Sequence, residues 1–371
     1  MNILALNWQD LKNPMSGGAE VHLEELLRRI AAKGHQVTLF CSNYEGGLPE
    51  ENVEGVKIIR AGSRYNFNLI APFHLRRLIK QNSYDLFLED INKIPFYTPF
   101  YQNLPMIVII PHLFSTAIFQ EVNFVLGSYI YFAERPLTRV YRKKQFCVIS
   151  ESTASDIIER GVPREQVSVI HCGIDQSLYN NDAGYKKYDY PSILYLGRIK
   201  KYKSVQHLIE AFKIVKSDLP DAKLAIVGAG DYIDELKKLV VDLKLSDDIE
   251  FPGFVSKEKK VEYLCRSHVM AYPSLKEGWG LTNIEANSCG TTVVAARTPG
   301  LRDSVKHEYS GLLYEYGEIE KMADLLKKLL TDDEKRTKLE QGGLEWAKQF
   351  NWDLAADKFL ELCFEVSGKN D

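Results

Sequence analysis

The sequence predicts an α/β protein with two doubly wound parallel sheets. Three observations carry this. The chain has 371 residues, more than one core fills, since single cores stop growing at roughly 250–300 residues. Short apolar runs alternate with amphipathic helical stretches, which is how βαβ units read. The alternation also starts afresh at Ser192–Leu196, after a polar, tyrosine-rich, unpatterned stretch from Asn180 to Tyr190 that has the composition of a linker. The expected domains are residues 1–185 and 190–350.

Composition narrows the function classes. A net charge of −3 supplies no global basic field, so no nucleic-acid partner is expected. The six cysteines have no CxxC spacing and read as small buried hydrophobes in a reducing compartment. The start, Met1-Asn2-Ile3-Leu4-Ala5-Leu6, is too short and lacks the basic residues of a secretory signal. No run is apolar for long enough to span a bilayer. A cytoplasmic protein is expected.

The first domain opens β–loop–α–β. Asn2 to Leu6 is an apolar strand. Asn13-Pro14-Met15-Ser16-Gly17-Gly18 is a loop by its proline and glycines. Leu23, Leu26, Leu27 and Ile30 then mark one helical face, Gly34 ends the helix, and Val37 to Cys41 is the next strand. The Gly17-Gly18 pair serves a steep turn, or offers a small backbone surface to an anion. Strands follow at Val56–Arg60, Tyr84–Leu88 and Met106–Ile110, with a helix over Phe73–Ile79. Met106–Ile110 has no alternation, as in a strand buried on both faces. His112 lies at its carboxyl end, the edge where open α/β sheets bind ligands. Glu89-Asp90 ends a neighbouring strand. Phe146–Ser150 and Val167–Ile170 complete the set, with a helix opened by Ser152.

The stretch Leu113–Lys144 carries many apolar and aromatic residues and ends in Arg139, Arg142, Lys143 and Lys144. That composition fits an interfacial element docked on an anionic membrane. It fits equally a buried helix with a solvated basic end.

In the second domain Gly197-Arg198-Ile199-Lys200-Lys201-Tyr202-Lys203 follows the strand Ser192–Leu196. Four cations at a strand end suit an anion, with arginine offering a fork and lysine a point charge to phosphate oxygens. A helix over Val205–Lys216 and the strand Lys223–Val227 lead to Gly228-Ala229-Gly230, where backbone can approach a nucleotide. Ile249–Phe251 is a short strand before the turn Gly253-Phe254-Val255. The apolar run His268–Tyr272 then precedes Lys276-Glu277-Gly278-Trp279-Gly280-Leu281-Thr282-Asn283-Ile284-Glu285. Thr282 with Glu285 has capping-box spacing, so a glycine loop would deliver a phosphate to a helix N-terminus. The strand Thr292–Ala295 and helices over Ile319–Leu330, Glu334–Phe350 and Leu354–Val366 finish the chain.

Glu277 and Glu285, eight positions apart, resemble the Glu-x7-Glu motif of retaining glycosyltransferases of family 4. Gly17-Gly18, His112 and Arg198 with Lys203 match further motifs of that family in order, so the resemblance covers nearly the whole chain. Lys203-Ser204 departs from the family's frequent Lys-Gly. The resemblance implies a GT-B fold, two Rossmann-like domains facing across a cleft, with the terminal segment 352–371 joining the first, acceptor-side domain.

It further implies that residues 190–350 bind a UDP- or GDP-sugar. Arg198, Lys203, the Gly17-Gly18 loop and backbone N–H groups of Gly280, Leu281 and Thr282 would hold the diphosphate. Glu285 would bind the ribose hydroxyls, and Gly228, Gly230, Phe254 and Val255 would lie on the nucleobase side. Glu277 and His112 would contact the transferred hexose. No metal or other cofactor is expected, because cations take the metal's place and no Asp-x-Asp motif stands at a strand end. The expected acceptor is a hydroxyl, on a lipid-linked or cell-surface glycan if the membrane reading holds. A non-catalytic sugar-nucleotide-binding subunit and another GT-B enzyme, such as an epimerase, are the alternatives.

Overall fold

The computed structural model describes residues 1–120 and 122–369. Among these, residues 1–172 and the terminal helix form one unit, and residues 173–351 the other.

The first unit runs β1 (Asn2–Leu6), α1 (Gly18–Ala32), β2 (Gln36–Ser42), β3 (Glu50–Val53), β4 (Val56–Ala61), α2 (Phe67–Gln81) and β5 (Leu86–Asp90). It continues through β6 (Met106–Ile110), α3 (Phe124–Glu134), α4 (Leu137–Val140), β7 (Gln145–Val148), α5 (Glu151–Glu159) and β8 (Val167–Val169). The strand order is β3-β4-β2-β1-β5-β6-β7-β8. Every pairing is parallel except β3 with β4. The order reverses between β1 and β5, so Gly17-Gly18 after β1 and the segment after β5 flank a topological switch point. The central strands β1, β5 and β6 carry apolar residues without alternation because both faces are covered.

The second unit runs β9 (Ser192–Leu196), α6 (Val205–Asp218), β10 (Lys223–Val227), α7 (Ile233–Asp242), β11 (Ile249–Gly253), α8 (Lys257–Arg266) and β12 (Val269–Tyr272). Then come α9 (Leu281–Ser288), β13 (Thr292–Ala296), α10 (Leu301–Ser304), β14 (Gly311–Tyr314), α11 (Ile319–Thr331) and α12 (Asp333–Ala347). The sheet is parallel, in the order β11-β10-β9-β12-β13-β14. Its switch point lies between β9 and β12, whose carboxyl ends carry the Arg198–Lys203 and Lys276–Gly280 loops. The amphipathic helix α11 buries Met322, Leu326 and Leu329 against this sheet; each such side chain contributes about 1.5–3 kcal/mol.

The last helix, α13 (Trp352–Ser367), packs on α1. Asp353 pairs with Arg29 at 2.6 Å, Asp357 pairs with Lys33, and the Trp352 ring lies 6.0 Å from that of His22.

Several expectations are corrected. The stretch Asn180–Tyr190 is no linker, because it is bound to the second unit. The Lys187 ammonium donates to the Ser267 and Gly290 carbonyls and the Thr291 hydroxyl, and the Tyr188 N–H to the Arg266 carbonyl. The crossing falls at 172/173 instead. Ser150, not Ser152, caps α5, accepting from the Thr153 N–H at 3.2 Å. Strands β3 and β14 and helices α7 and α8 are further elements. β3 is a polar edge hairpin, and α8 has a mostly charged surface, so neither shows a strong apolar run.

Candidate active site

In the second unit Lys203, one of the cations after β9, meets the loop after β12 across the switch point. Lys203 ends a short 3-10 turn, Lys201–Lys203, and Ser204 takes a left-handed backbone, φ 55°. This turns the Lys203 side chain inward, where only 5% of the residue is exposed. Its ammonium pairs with Glu277, and donates to the Tyr272 hydroxyl at 3.4 Å. It also lies over the rings of Tyr202 and Tyr272. Burial opposes the Lys203 charge, but the Glu277 carboxylate and surrounding tyrosines outweigh it and hold the pKa well above the ordinary value. Burial, followed by the Glu277 charge, pushes the Tyr272 phenol up to about 12.

The Glu277 loop is fixed from two sides. The Glu277 N–H donates to the Pro299 carbonyl, and the Leu275 N–H to that of Tyr202. A Cβ on Gly300, at φ +81°, would stand 2.3 Å from the Glu277 carbonyl oxygen, so only glycine fits. Trp279 packs edge-on to Phe350, ring centroids 5.2 Å apart. Asn287 donates to the Thr291 and Ser310 carbonyls. Both serve packing.

The expected capping box is not formed. Gly280, left-handed at φ 89°, is the N-cap of α9, and the helix starts at Leu281. Thr282 therefore lies inside the first turn. Glu285 turns away from the cap, and its carboxylate pairs with Lys260 at 2.7 Å. Lys260 also donates to the Tyr179 hydroxyl at 3.0 Å. Glu285 thus sits buried beside a cation and a phenol, and of the first-turn N–H groups that of Asn283 already donates to the Gly280 carbonyl at 2.9 Å.

Gly228 and Gly230 have a reason internal to the chain. A Cβ on Gly228 would lie 1.9 Å from the Gly197 carbonyl oxygen, and one on Gly230 1.8 Å from that of Ile199. The Gly197 and Ile199 N–H groups donate back to Val227 and Ala229. The two loops are laced backbone to backbone, which fixes where Arg198 emerges. Arg198 is itself exposed, and its carbonyl accepts from the Tyr195 hydroxyl at 2.9 Å. Phe254 is 90% exposed, whereas Val255 packs on the core.

In the first unit Gly17 is the N-cap of α1, and its N–H donates to the Glu20 carboxylate at 2.7 Å. A Cβ on Gly18 would meet open space. Glu20 is buried and accepts from Asn92 at 2.9 Å, so it ties the glycine loop to the segment after β5. His22 is 1% exposed, and burial lowers its pKa to about 4. His112 follows β6 with its ring edge-on to Phe114, 4.9 Å apart.

Glu89 is buried and accepts from the Phe96 N–H and the Thr98 and Tyr141 hydroxyls. Asp90 is fully buried too, and burial raises its pKa well above the carboxylate range. Among the described residues no three His, Cys, Asp or Glu side chains are gathered in a way that could hold a metal ion.

The profile described as Glycosyltransferase Family 4 matches residues 16–178, and that described as Glycosyl transferases group 1 matches residues 180–346. The chain is 22% identical, over 94% of its length and 95% of the other's, to a GDP-mannose-dependent alpha-(1-6)-phosphatidylinositol monomannoside mannosyltransferase of Mycobacterium tuberculosis. Its fold matches a sucrose-phosphate synthase of Thermosynechococcus elongatus with TM-score 0.80 at 20% identity, over 98% of both chains. It matches Anabaena Alr3699/HepE, solved with UDP and glucose, with TM-score 0.76 at 20% identity, over 98% of this chain and 99% of that one.

Proposed function

We propose that this chain, which is a GT-B glycosyltransferase of the family 4 type, moves a hexose from a UDP- or GDP-sugar to a hydroxyl with retention and without a metal. The observation that carries the reading is the pair of buried Lys203 with half-buried Glu277 at the switch point of the second sheet.

In this reading the donor diphosphate lies against Arg198, Lys203 and the N–H groups of Gly280, Leu281 and Thr282. A helix N-terminus and fixed cations stabilise negative charge. That charge grows as the sugar departs, so these groups act most strongly in the transition state. Glu285 binds the ribose hydroxyls with Lys260 holding its carboxylate. Gly228, Gly230, Phe254 and Val255 lie on the base side. Glu277 and His112 contact the sugar. A retaining glycosidase would place two carboxylates about 5–5.5 Å apart; here no second carboxylate is assigned as nucleophile. The donor phosphate instead takes the acceptor proton on the face the leaving group vacates.

We further propose peripheral binding to an anionic membrane carrying a lipid-linked acceptor. No described helix is long and apolar enough to cross a membrane. The outer faces of α2 and α3 instead expose Leu69, Phe73, Phe124, Val125 and Phe132. The Asn68 amide reaches the Tyr129 hydroxyl at 3.4 Å, joining the two faces. Arg139, Arg142 and Lys143 stand exposed just beyond.

The test is melting of the wild type and Arg198→Ala with UDP- and GDP-sugars in EDTA, followed by product analysis. Donor at a hundredfold its dissociation constant adds about 2.7 kcal/mol. Stabilisation by one nucleotide family, weakened in the variant, with retained anomeric configuration, is expected. An absolute divalent requirement or an inverted product would sink the proposal.

A further inference from the structure

We propose that Glu134, backed by Arg160, is a positioning residue for His112, an inference that rests on reading His112 as a sugar-contacting group. The loop bearing His112 leaves β6 at Ile110 and is fastened on both sides. Before His112, the Pro111 carbonyl accepts from the Thr153 hydroxyl at 3.2 Å, and Thr153 is held in turn by the cap residue Ser150 at 2.9 Å. After His112, the Phe114 N–H donates to the Glu134 carboxylate at 2.7 Å and the Ser115 N–H at 3.2 Å.

Glu134 is the last residue of α3 and is only 4% exposed. The Arg160 guanidinium donates to it at 3.1 Å, to the Ser115 hydroxyl at 2.6 Å and to Asp156 at 2.7 Å. Ser115 is held left-handed at φ 51°, a backbone that L residues rarely adopt unless their surroundings impose it. One carboxylate therefore satisfies two successive N–H groups of the loop and the cation that grips its serine. The His112 ring rests edge-on against Phe114, whose own N–H is the shorter of those two bonds. Glu134, Arg160 and Ser115 also form part of the wall of a cavity of about 510 Å³. Without the Glu134 carboxylate the His112 ring loses its orientation.

The test is a double-mutant cycle with His112→Ala, Glu134→Ala and both together. It follows nucleoside diphosphate release from UDP-glucose or GDP-mannose, whichever stabilises the wild type, with water or an alkyl glycoside as acceptor. Glu134→Ala should lower kcat about 100-fold, as misplacement of a reacting group does, and leave donor KM unchanged. In the His112→Ala background the same change should cost about twofold or less, because coupled groups are not additive. Glu134→Gln keeps one acceptor oxygen and should restore part of the rate; it replaces alanine in the cycle if that variant does not fold. Multiplicative losses, or a loss confined to KM, would overturn the proposal. If His112→Ala alone keeps the wild-type kcat, the reading of His112 fails and this inference with it, while donor binding by the second unit stands.

Discussion

The Lys203 ammonium is ion-paired to Glu277, and this pair joins the loop after β9 to the loop after β12. Removing one member of a buried pair strands the other's charge, at a cost of about 3–5 kcal/mol. Lys203→Ala and Glu277→Gln should each lower stability by about 3 kcal/mol, and turnover by about 10²–10³. The double variant Lys203→Met with Glu277→Gln should regain stability and stay inactive. Denaturant melts beside kcat measurements separate the two effects; an active double variant would remove this pair from the chemistry.

The N-terminus of α9 gives a contrast between neighbours. Gly280→Ala places a Cβ at φ 89° within 2.9 Å of the Ser304 hydroxyl. It should cost about 1–2 kcal/mol from backbone strain alone, and weaken donor binding. Thr282→Ala should change stability by less than about 0.5 kcal/mol, as surface substitutions do, since Gly280 and not Thr282 is the cap. A normal cap loss of about 1 kcal/mol at Thr282 would contradict the helix start.

Acid should weaken the fold through its buried histidines. Burial holds His22 near 4, and burial followed by the Arg336 and Lys187 charges holds His268 near 4. Unfolded histidine titrates near 6.5. Between about pH 6.5 and 4 the unfolded chain binds more protons than the native one, so the stability present above 6.5 is lost on acidification. Asp90 and Glu24, both raised by burial, Glu24 to about 7, have the opposite slope, so the histidine share is read from the difference between the wild type and His22→Leu. Melting temperature should fall from pH 6.5 towards 4.5 by about 2–4 °C per kcal/mol, and His22→Leu should fall less. Identical slopes in the two proteins would exclude His22.

The exposed face of α2 and α3 predicts vesicle binding. Phe73→Ser and Phe132→Ser should each weaken co-sedimentation with anionic vesicles by tenfold or more, at about 1.5–3 kcal/mol per inserted ring. Raised salt should weaken binding through Arg139, Arg142 and Lys143. Binding indifferent to lipid charge would count against this surface.

The sequence shows where most strands of both sheets lie because runs such as Met106–Ile110 are buried on two faces and admit no polar residue. It shows β3 poorly, since an edge hairpin buries almost nothing. Local spacing misled at Thr282: the capping box is a statement about neighbours, and left-handed Gly280, where Ser304 and Leu301 leave no room for a Cβ, overrides it. Gly228 and Gly230 looked like ligand glycines because a strand-end Gly-x-Gly carries no sign of the Gly197 and Ile199 carbonyls that require them. Asn180–Tyr190 has linker composition, yet its tie to the second unit runs through backbone carbonyls, which leave no trace in residue type. Glu134 was equally hidden, one acidic residue in an aromatic stretch.

The chain passes between its two units at 172/173 and again at 351/352. Ile174 and Asn351 form a parallel bridge, and the Ile174 N–H donates to the Phe350 carbonyl at 3.2 Å. Residues 173–351 thus begin and end at one spot, the condition under which domain insertion is tolerated. They form a cassette: the half proposed to choose the nucleotide-sugar can be lifted from a related enzyme and spliced in at these two joints, leaving the sequence of the other unit untouched.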